Sequence, residues 1–209
     1  MYQFGSAISH EPEVANREDA AARMYDDAWR ALEECRTVGE LEPEWYVIAT
    51  RLLALQGRSE AADKALVFEG ISRYPNYYEL YFAGLEYVWY DSWGDKGRLE
   101  EFAQFAVRNT VADEGTSLYA RLYWYASQIE GGLKIFFDRW PNWPTMKVAI
   151  HDVIARYPDN WNVNNFARFA CAAGDSGEAK SLIDQMEWPI IDIWKDPDIL
   201  RACSKGTQN

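Results

Sequence analysis

Few residues of this chain combine into a pattern that catalysis requires. The sequence places neither of its two histidines, His10 and His151, beside a second metal ligand or a nucleophile. Cys171 could act as a nucleophile, but its neighbours Ala170 and Ala172 favour a small buried side chain. The sequence motifs of zinc proteases, serine hydrolases, phosphate-binding loops and dinucleotide sites are absent. We therefore expect a protein without catalytic activity, cofactor or bound metal.

Pairs of acidic residues support an alternative hypothesis, in which the protein is an enzyme. Asp91 with Asp95, or Glu130 with Asp138, could serve as an acid and a base. A chain with 33 carboxylates also forms such pairs by chance. An enzyme that uses carboxylates or His151 in a helical cleft remains the alternative hypothesis.

A second group of polar residues lies within segments whose other residues are typical of a buried helix. A buried arginine or asparagine needs hydrogen-bond partners, and Glu114 or a backbone carbonyl could supply them. Two interpretations stay open, an internal brace that fixes the angle between hairpins and a polar clamp at the floor of a concave groove. These residues are Arg121, Asn162, Asn164, Asn165 and Arg168.

Aromatic residues make up the rest of the candidate surface. Their share is 15%, with ten Trp and thirteen Tyr, and large rings with a polar tip suit both cores and partner surfaces. We expect most of them in the core and some along a groove, if the helices stack with curvature. The candidate groove residues are Tyr77, Tyr81, Glu114, Tyr119, Arg121, Tyr123, Trp124, Trp161, Asn162, Asn165 and Arg168.

The elements that position these residues are helices, and one joint between helices occurs twice. A helix must end before Pro158, and Asp159 or Asn160 can cap the next helix, which runs to Gly174. The same Tyr-Pro turn occurs 83 residues earlier, at Pro75. Since 83 is about twice the length of a two-helix repeat of roughly 40 residues, the joints indicate stacked helical hairpins.

Apolar residues spaced three and four apart predict helices through most of the chain. We expect an all-α fold of about nine to ten helices, in which helical hairpins repeat as an α-solenoid. The expected organisation is a loose lead-in at 1–15, a single repeat domain at 16–203 and a frayed tail at 204–209. Within the domain we expect two four-helix cycles, at about 44–110 and 114–187.

The same spacing predicts which side of each helix is buried. For the helix from Asn16 to Cys35 the predicted stripe is Ala21, Met24, Tyr25, Ala28, Leu32 and Cys35. For the helix that begins at Glu44 it is Trp45, Ile48, Ala49, Leu52 and Leu55. For the helix that contains His151 it is Met146, Ala149, Ile150 and Val153.

Five short motifs follow one another in the second half of the chain. They are Glu114-Gly-Thr116, the run 119–124, Met146-Lys147, the turn 156–159 and the run 161–171. In this order they resemble an uncharacterised bacterial domain family with tetratricopeptide-like helical repeats. The resemblance covers roughly residues 66–187 and implies a tetratricopeptide-like architecture, but no established chemistry. The 34-residue tetratricopeptide signature itself is not present.

The charge of the chain narrows the class of partner. The formal net charge is −12, and residues 1–45 contain eleven acidic residues against four basic ones. Nucleic acid and anionic membranes attract basic surfaces, so both are disfavoured as partners. An acidic surface accelerates encounter with a basic protein, although it also serves solubility alone.

The cysteines bear on location. Cys35, Cys171 and Cys203 are widely spaced and odd in number, which favours free thiols in a reducing cytoplasm over a disulfide framework. The sequence shows neither a signal peptide nor a run of eighteen apolar residues. We therefore expect a cytoplasmic protein.

Together these features favour a non-catalytic helical-repeat protein that binds another protein. A small acidic bacterial protein of this type could be an immunity protein, which binds and neutralises a secreted toxin. The expected partner is then a basic toxin or effector, and the chain is a monomer or a small homo-oligomer. A structural adaptor that self-assembles is a third possibility.

Overall fold

The computed structural model describes residues 11–92, 94–129 and 132–206. Within these ranges the chain forms thirteen α-helices and no strand, and ten of the helices have eight or more residues. The prediction of an all-α fold is confirmed, and the predicted nine to ten helices correspond to the ten longer ones, without the three helices of four residues. No helix in the described ranges is both long and apolar enough to cross a membrane.

The helices group into two compact units, Met1–Trp93 and Gly94–Asn209. The first unit contains α1 (Glu11–Glu34), α2 (Arg36–Gly39), α3 (Pro43–Leu55), α4 (Ala61–Arg73) and α5 (Glu79–Asp91). The second contains α6 (Lys96–Glu114), α7 (Ser117–Ile129), α8 (Lys134–Phe137), α9 (Trp143–Arg156), α10 (Asn160–Ala172), α11 (Ser176–Ile183), α12 (Ile191–Trp194) and α13 (Pro197–Lys205). Helix α6 belongs to the second unit, although the first predicted cycle included it. The single repeat domain at 16–203 stays a prediction.

Helix α1 begins five residues before its predicted start at Asn16. Glutamates at 11 and 13 and a proline at 12 are residues that favour the first turn of a helix. Of the predicted lead-in, residues 1–10 with His10 lie outside the described ranges. Of the predicted tail, Ser204 and Lys205 still belong to α13, and residues 207–209 lie outside.

The buried side of α1 differs from the predicted stripe. Met24 is 70% exposed, and Cys35 and Ala28 are exposed as well. The partly buried side chains lie four or three residues apart, and they include Trp29, whose ring lies 4.4 Å from the Arg58 guanidinium carbon. The indole of Trp29 therefore takes the buried position that the prediction gave to the neighbouring Ala28. This stripe is Ala21, Tyr25, Trp29 and Leu32.

Helix α3 is buried on more than one side because it packs against α1, α4 and α5. Its predicted residues Ile48 and Leu55 are 45% and 55% exposed, so those two predictions are wrong. The core takes neighbouring positions in their place, including Tyr46 and Leu53, which have no exposed area. A single-stripe pattern cannot describe a helix with neighbours on several sides.

Helix α9 follows its predicted pattern. Met146, Ala149, Ile150 and Val153 are all buried, three of them completely. In the second unit α7 packs against α6 and α9, and α10 packs against α11. Phe136 of α8 stacks on Phe169 of α10, with ring centroids 4.2 Å apart, at the centre of this core.

The first helix of each Tyr-Pro joint ends in the same way. Tyr74 follows α4 with φ −131° and ψ 61°, and Tyr157 follows α9 with φ −129° and ψ 69°. In both joints the tyrosine N–H donates to the carbonyl four residues earlier. The turns after the prolines differ, because α5 begins at Glu79 without a side-chain cap, whereas α10 begins at Asn160 and is capped by the Asp159 side chain.

Both joint tyrosines also tie their helix back to the start of a preceding helix. The Tyr74 hydroxyl donates to the Glu40 carbonyl, three residues before α3, at 2.9 Å. The Tyr157 hydroxyl donates to the carboxylate of Glu114, three residues before α7, at 2.9 Å. The joint therefore closes a helical pair in each unit.

The cysteine prediction is wrong for two of the three thiols. Cys171 of α10 and Cys203 of α13 form a disulfide, with their Cα atoms 5.6 Å apart, and Cys35 is an exposed free thiol. The two residues are 32 positions apart, and the packing of α11 against both α10 and α13 brings them together. Sequence spacing alone does not reveal such a pair.

Candidate functional site

The Glu114-Gly-Thr116 motif forms the turn between α6 and α7. Gly115 has φ 59° and ψ −131°, which favours glycine, and a Cβ atom there would lie 2.6 Å from Asp152 Oδ2. The Thr116 N–H and hydroxyl donate to that same oxygen, at 2.6 and 2.7 Å. Although partial burial raises the pKa of Asp152, these two bonds and the nearby Arg156 lower it below its usual value. The motif thus fixes α7 against α9.

Glu114 is a buried carboxylate with several donors around it. It is 5% exposed, and it accepts hydrogen bonds from the Ser117 hydroxyl and from the Tyr157 hydroxyl. Arg121 Nη1 lies 3.8 Å from Glu114 Oε2, and its guanidinium carbon lies 5.9 Å from the centre of the Tyr157 ring. Donation to Glu114 raises the pKa of Tyr157. Because a buried charge needs such partners, this geometry favours the brace interpretation for Arg121.

Two of the candidate asparagines bind the backbone of their own helix and joint. Asn162 donates to the Tyr157 carbonyl at 2.9 Å and to the Asp159 carboxylate at 2.7 Å. Asn165 donates to the Trp161 carbonyl at 2.9 Å. Both are 8% exposed, so they hold the start of α10 in place and offer little surface.

Asn164 holds the segment after α11 onto α10. Its side chain is fully buried, and Oδ1 accepts from the Ile190 N–H and from Trp194 Nε1, both at 2.9 Å. Its Nδ2 donates to the carbonyls of Asn160 at 2.8 Å and Trp188 at 3.1 Å. The hydrogen-bonding capacity of this amide is therefore filled, and three of these four bonds attach residues 188–194 to α10.

The candidate tyrosines lie mostly in the core. Tyr81, Tyr119 and Tyr123 have no exposed area, which removes them from any groove surface. Burial and donation to Glu100, at 2.6 Å from each hydroxyl, raise the pKa of both Tyr119 and Tyr123. Tyr77 is partly buried, and its hydroxyl donates to Glu44 at 2.8 Å.

Glu100 was not among the candidates from sequence. It joins α6 to α7, and through Tyr119, whose hydroxyl accepts the Asn142 N–H at 2.9 Å, to the start of α9. The sequence signal that could have identified Glu100 is its position three residues before Ala103, beside the buried side of α6. A carboxylate in that position needs donors from a neighbouring helix.

The remaining candidates divide by exposure. Trp124 is partly buried against Phe166, with ring centroids 6.0 Å apart. Arg168 is partly buried, and its guanidinium carbon lies 6.0 Å from the centre of the Trp194 ring. Trp161 is 48% exposed. Of the eleven groove candidates, Tyr77 and Tyr81 belong to the first unit and the other nine to the second.

Three exposed aromatic residues lie in the segments that adjoin the N-terminal end of α10, and we call Tyr157, Trp161 and Trp188 the aromatic face. They are 42%, 48% and 60% exposed. Asn160, which precedes Trp161, donates to the Trp188 carbonyl at 2.9 Å and so brings the two segments together. Exposed Asp159 and Glu187 lie within the same segments. Trp188 was not among the candidates from sequence, because only its contacts with Asn160 and Asn164 place it beside α10.

The residues considered for catalysis do not converge. His151 is 56% exposed, and its Nε2 lies 3.0 Å from Glu178 Oε1. Asp91 pairs with Lys64 at 3.1 Å, whereas Asp95 caps α6. Asp138 lies 3.9 Å from Lys134, Glu130 lies outside the described ranges, and Cys171 is oxidised. Among the described residues no group of three or more His, Cys, Asp and Glu could hold a metal ion.

Asp175 connects the start of α11 to α9. Its carboxylate caps α11 through the Glu178 N–H and accepts from Trp143 Nε1 at 2.9 Å, while Lys147 Nζ lies 3.1 Å away. Partial burial acts to raise the pKa of Asp175, but the Glu178 N–H, Trp143 and Lys147 outweigh it and lower this pKa. The charged form of Asp175 therefore stabilises the folded state.

Comparisons with models of known protein families, with curated proteins and with solved structures found no match. The class of the protein follows from its own geometry. It is an all-α protein whose second unit carries the aromatic face at the start of α10, where Asn160 and Asn164 hold the Trp188 carbonyl.

We predict that Gly115→Ala destabilises the chain more than Gly57→Ala does. Both glycines have positive φ, but a Cβ at Gly57 would meet nothing within 4 Å, whereas at Gly115 it would meet the Asp152 carboxylate. We expect a loss of about 1–3 kcal/mol at Gly115, from strain and the displaced Thr116 contacts, measured by urea unfolding. Equal losses in the two variants would show that the Asp152 contact is unimportant.

We predict that the cost of Asp175→Asn depends on pH. The folded pKa is lowered, so the stabilisation is complete above the ordinary value of 3.8 and is lost as the pH falls below it. At pH 7 we expect a loss of about 1–2 kcal/mol from the weakened contacts with Lys147 and Trp143, because asparagine can still cap α11, and a smaller difference from the parent chain at pH 3. Asp184→Asn, at an exposed ion pair with Lys180, is the control. A loss that is the same at both pH values would contradict the charged contact.

Proposed function

We propose that this chain is a non-catalytic protein-binding protein of the tetratricopeptide-like helical-repeat class. Its second unit docks a basic partner protein through the aromatic face. The observation that carries this proposal is the presence of three large aromatic side chains, 42–60% exposed, at one end of α10. Tryptophan and tyrosine are the residues most enriched in the energetic centres of protein interfaces.

The support beneath the aromatic face favours binding over incidental exposure. Trp161 lies in the capped first turn of α10, and the Asn160 and Asn164 side chains hold the Trp188 carbonyl at 2.9 and 3.1 Å. A backbone already fixed by hydrogen bonds loses little conformational entropy on binding. The backbone positions of Trp161 and Trp188 are therefore set before a partner arrives.

Charge favours a basic partner. Asp159 and Glu187 are exposed in the segments that carry the aromatic face, and the whole chain has a net charge of −12. Complementary charge accelerates association and makes it sensitive to salt. We expect acidic residues to attract the partner and the aromatic rings to supply most of the affinity.

The specific form of this proposal is a bacterial immunity protein that binds a basic secreted toxin or effector as a monomer or small homo-oligomer. The net charge of −12 is the feature that supports this role. A cytoplasmic location is also part of the proposal, but cysteine usage no longer supports it, because disulfides persist mainly in oxidising compartments.

The proposal is tested with the variant Trp161→Ala/Trp188→Ala. The parent chain is used to isolate its partner from the native host, and the purified partner is then titrated against each variant by calorimetry. We expect the double variant to bind at least about tenfold more weakly, because truncation of one central aromatic residue commonly costs 2 kcal/mol or more. Association of the parent chain should slow as salt is raised.

Tyr90→Ala is the matched control, since Tyr90 is 50% exposed in the first unit. For the toxin arm, co-expression of the parent chain should restore growth of cells that produce the partner, and the double variant should not. Unchanged affinity in the double variant, or binding of the partner that does not depend on salt concentration, would refute docking on this face.

A further inference from the structure

A cavity in the second unit lies between α10 and α13. Its lining includes no residue of the aromatic face, so it is independent of the docking proposed there. Its volume is about 300 Å³, at the lower end of small-molecule sites, which run from roughly 300 to 1,000 Å³. The Cys171–Cys203 disulfide forms part of its wall, and Phe137 and Ile199 provide apolar surface. The disulfide holds α13 against α10 and so maintains the cavity.

Two arginines line this apolar cavity without an acidic partner. Of the described residues that line it none is Asp or Glu, and neither Arg139 nor Arg168 forms an ion pair within residues 11–92, 94–129 and 132–206. The Nε atom of Arg168 is buried and has no hydrogen-bond acceptor there. Burial lowers the pKa of Arg168, as expected for a guanidinium without a counter-charge.

Arg139 adds to this arrangement from the rim. It follows α8 with φ 55°, a conformation more typical of glycine than of a long side chain. It is exposed, and it also lines a neighbouring cavity of about 370 Å³ near Trp143. An arginine at this turn provides a second positive charge at the mouth of the first cavity.

We infer that this cavity binds a small organic carboxylate with an apolar body. The carboxylate accepts hydrogen bonds from the Nη atoms of Arg168, and the apolar body packs on Phe137, Ile199 and the disulfide. A guanidinium matches a carboxylate with two parallel hydrogen bonds, which makes such a pair stronger than a neutral one. The ligand then supplies the negative charge that the described lining of the cavity lacks.

The test is a calorimetric titration of the full chain with octanoate and with octanamide, its neutral analogue. We expect octanoate to bind the parent chain more tightly than octanamide does. Arg168→Gln should weaken octanoate binding by at least about tenfold, as loss of a charge-assisted hydrogen bond does, and should leave octanamide unchanged. Arg108→Gln, at an exposed arginine of the same unit, is the matched control and should bind as the parent does.

A second variant keeps the inference testable if Arg168→Gln fails to fold. Ile199→Trp fills the cavity with an indole, so it should abolish octanoate binding while circular dichroism shows a folded chain. Trp161→Ala/Trp188→Ala should leave octanoate binding unchanged, which separates this site from the proposed docking face. No octanoate binding at millimolar concentration, equal affinity for octanamide, or unchanged binding in Arg168→Gln or Ile199→Trp would overturn the inference.

Discussion

The buried carboxylate of Glu114 is the constraint on which the second unit depends. A charge with 5% exposure is costly unless donors surround it, and here Ser117, Tyr157 and Arg121 do so from three directions. These donors belong to α7 and to the joint after α9, so the charge is satisfied only when both are in place. The cost of an unpartnered carboxylate thus selects one arrangement of helices.

The position of α10 follows from this arrangement. Tyr157 is the last residue before the turn into α10, and its carbonyl accepts from Asn162 in the first turn of that helix. Asn164, two residues further along, then attaches residues 188–194. The aromatic face therefore depends on the bond from Tyr157 to Glu114 and on the asparagine bonds at the start of α10. In the first unit Tyr74 has the same backbone geometry, but it binds the Glu40 carbonyl in place of a carboxylate.

Much of this fold could be predicted from sequence because its signals are local. Proline after tyrosine ends a helix by sterics alone, which is why both joints were found. The apolar pattern of α9 was right because one side of that helix carries its buried residues, whereas α3 has several neighbours and its pattern was partly wrong. The Arg121 partner, Glu114, could be anticipated because a buried guanidinium in an acidic chain requires one.

The rest depends on distant parts of the chain, which no local pattern reports. The Cys171–Cys203 disulfide needs the path of α11 and α13, and the pairing of Tyr119 and Tyr123 with Glu100 needs the angle between α6 and α7. Trp188 lies near the start of α10 because Asn160 and Asn164 bind its carbonyl, although more than twenty residues separate them in sequence. Aromatic residues on helices suit both cores and surfaces, so their division between the two became clear only from packing.

A double-mutant cycle on Glu114→Ala and Tyr157→Phe, with the free energy of unfolding measured in urea, tests the role of the buried Glu114 carboxylate most directly. If the Tyr157 hydroxyl stabilises the buried carboxylate, the two changes are coupled by about 1–3 kcal/mol, since a hydrogen bond to a charged group contributes in that range. Losses that simply add would show that the joint and the carboxylate act independently, and that result would contradict the central role of Glu114.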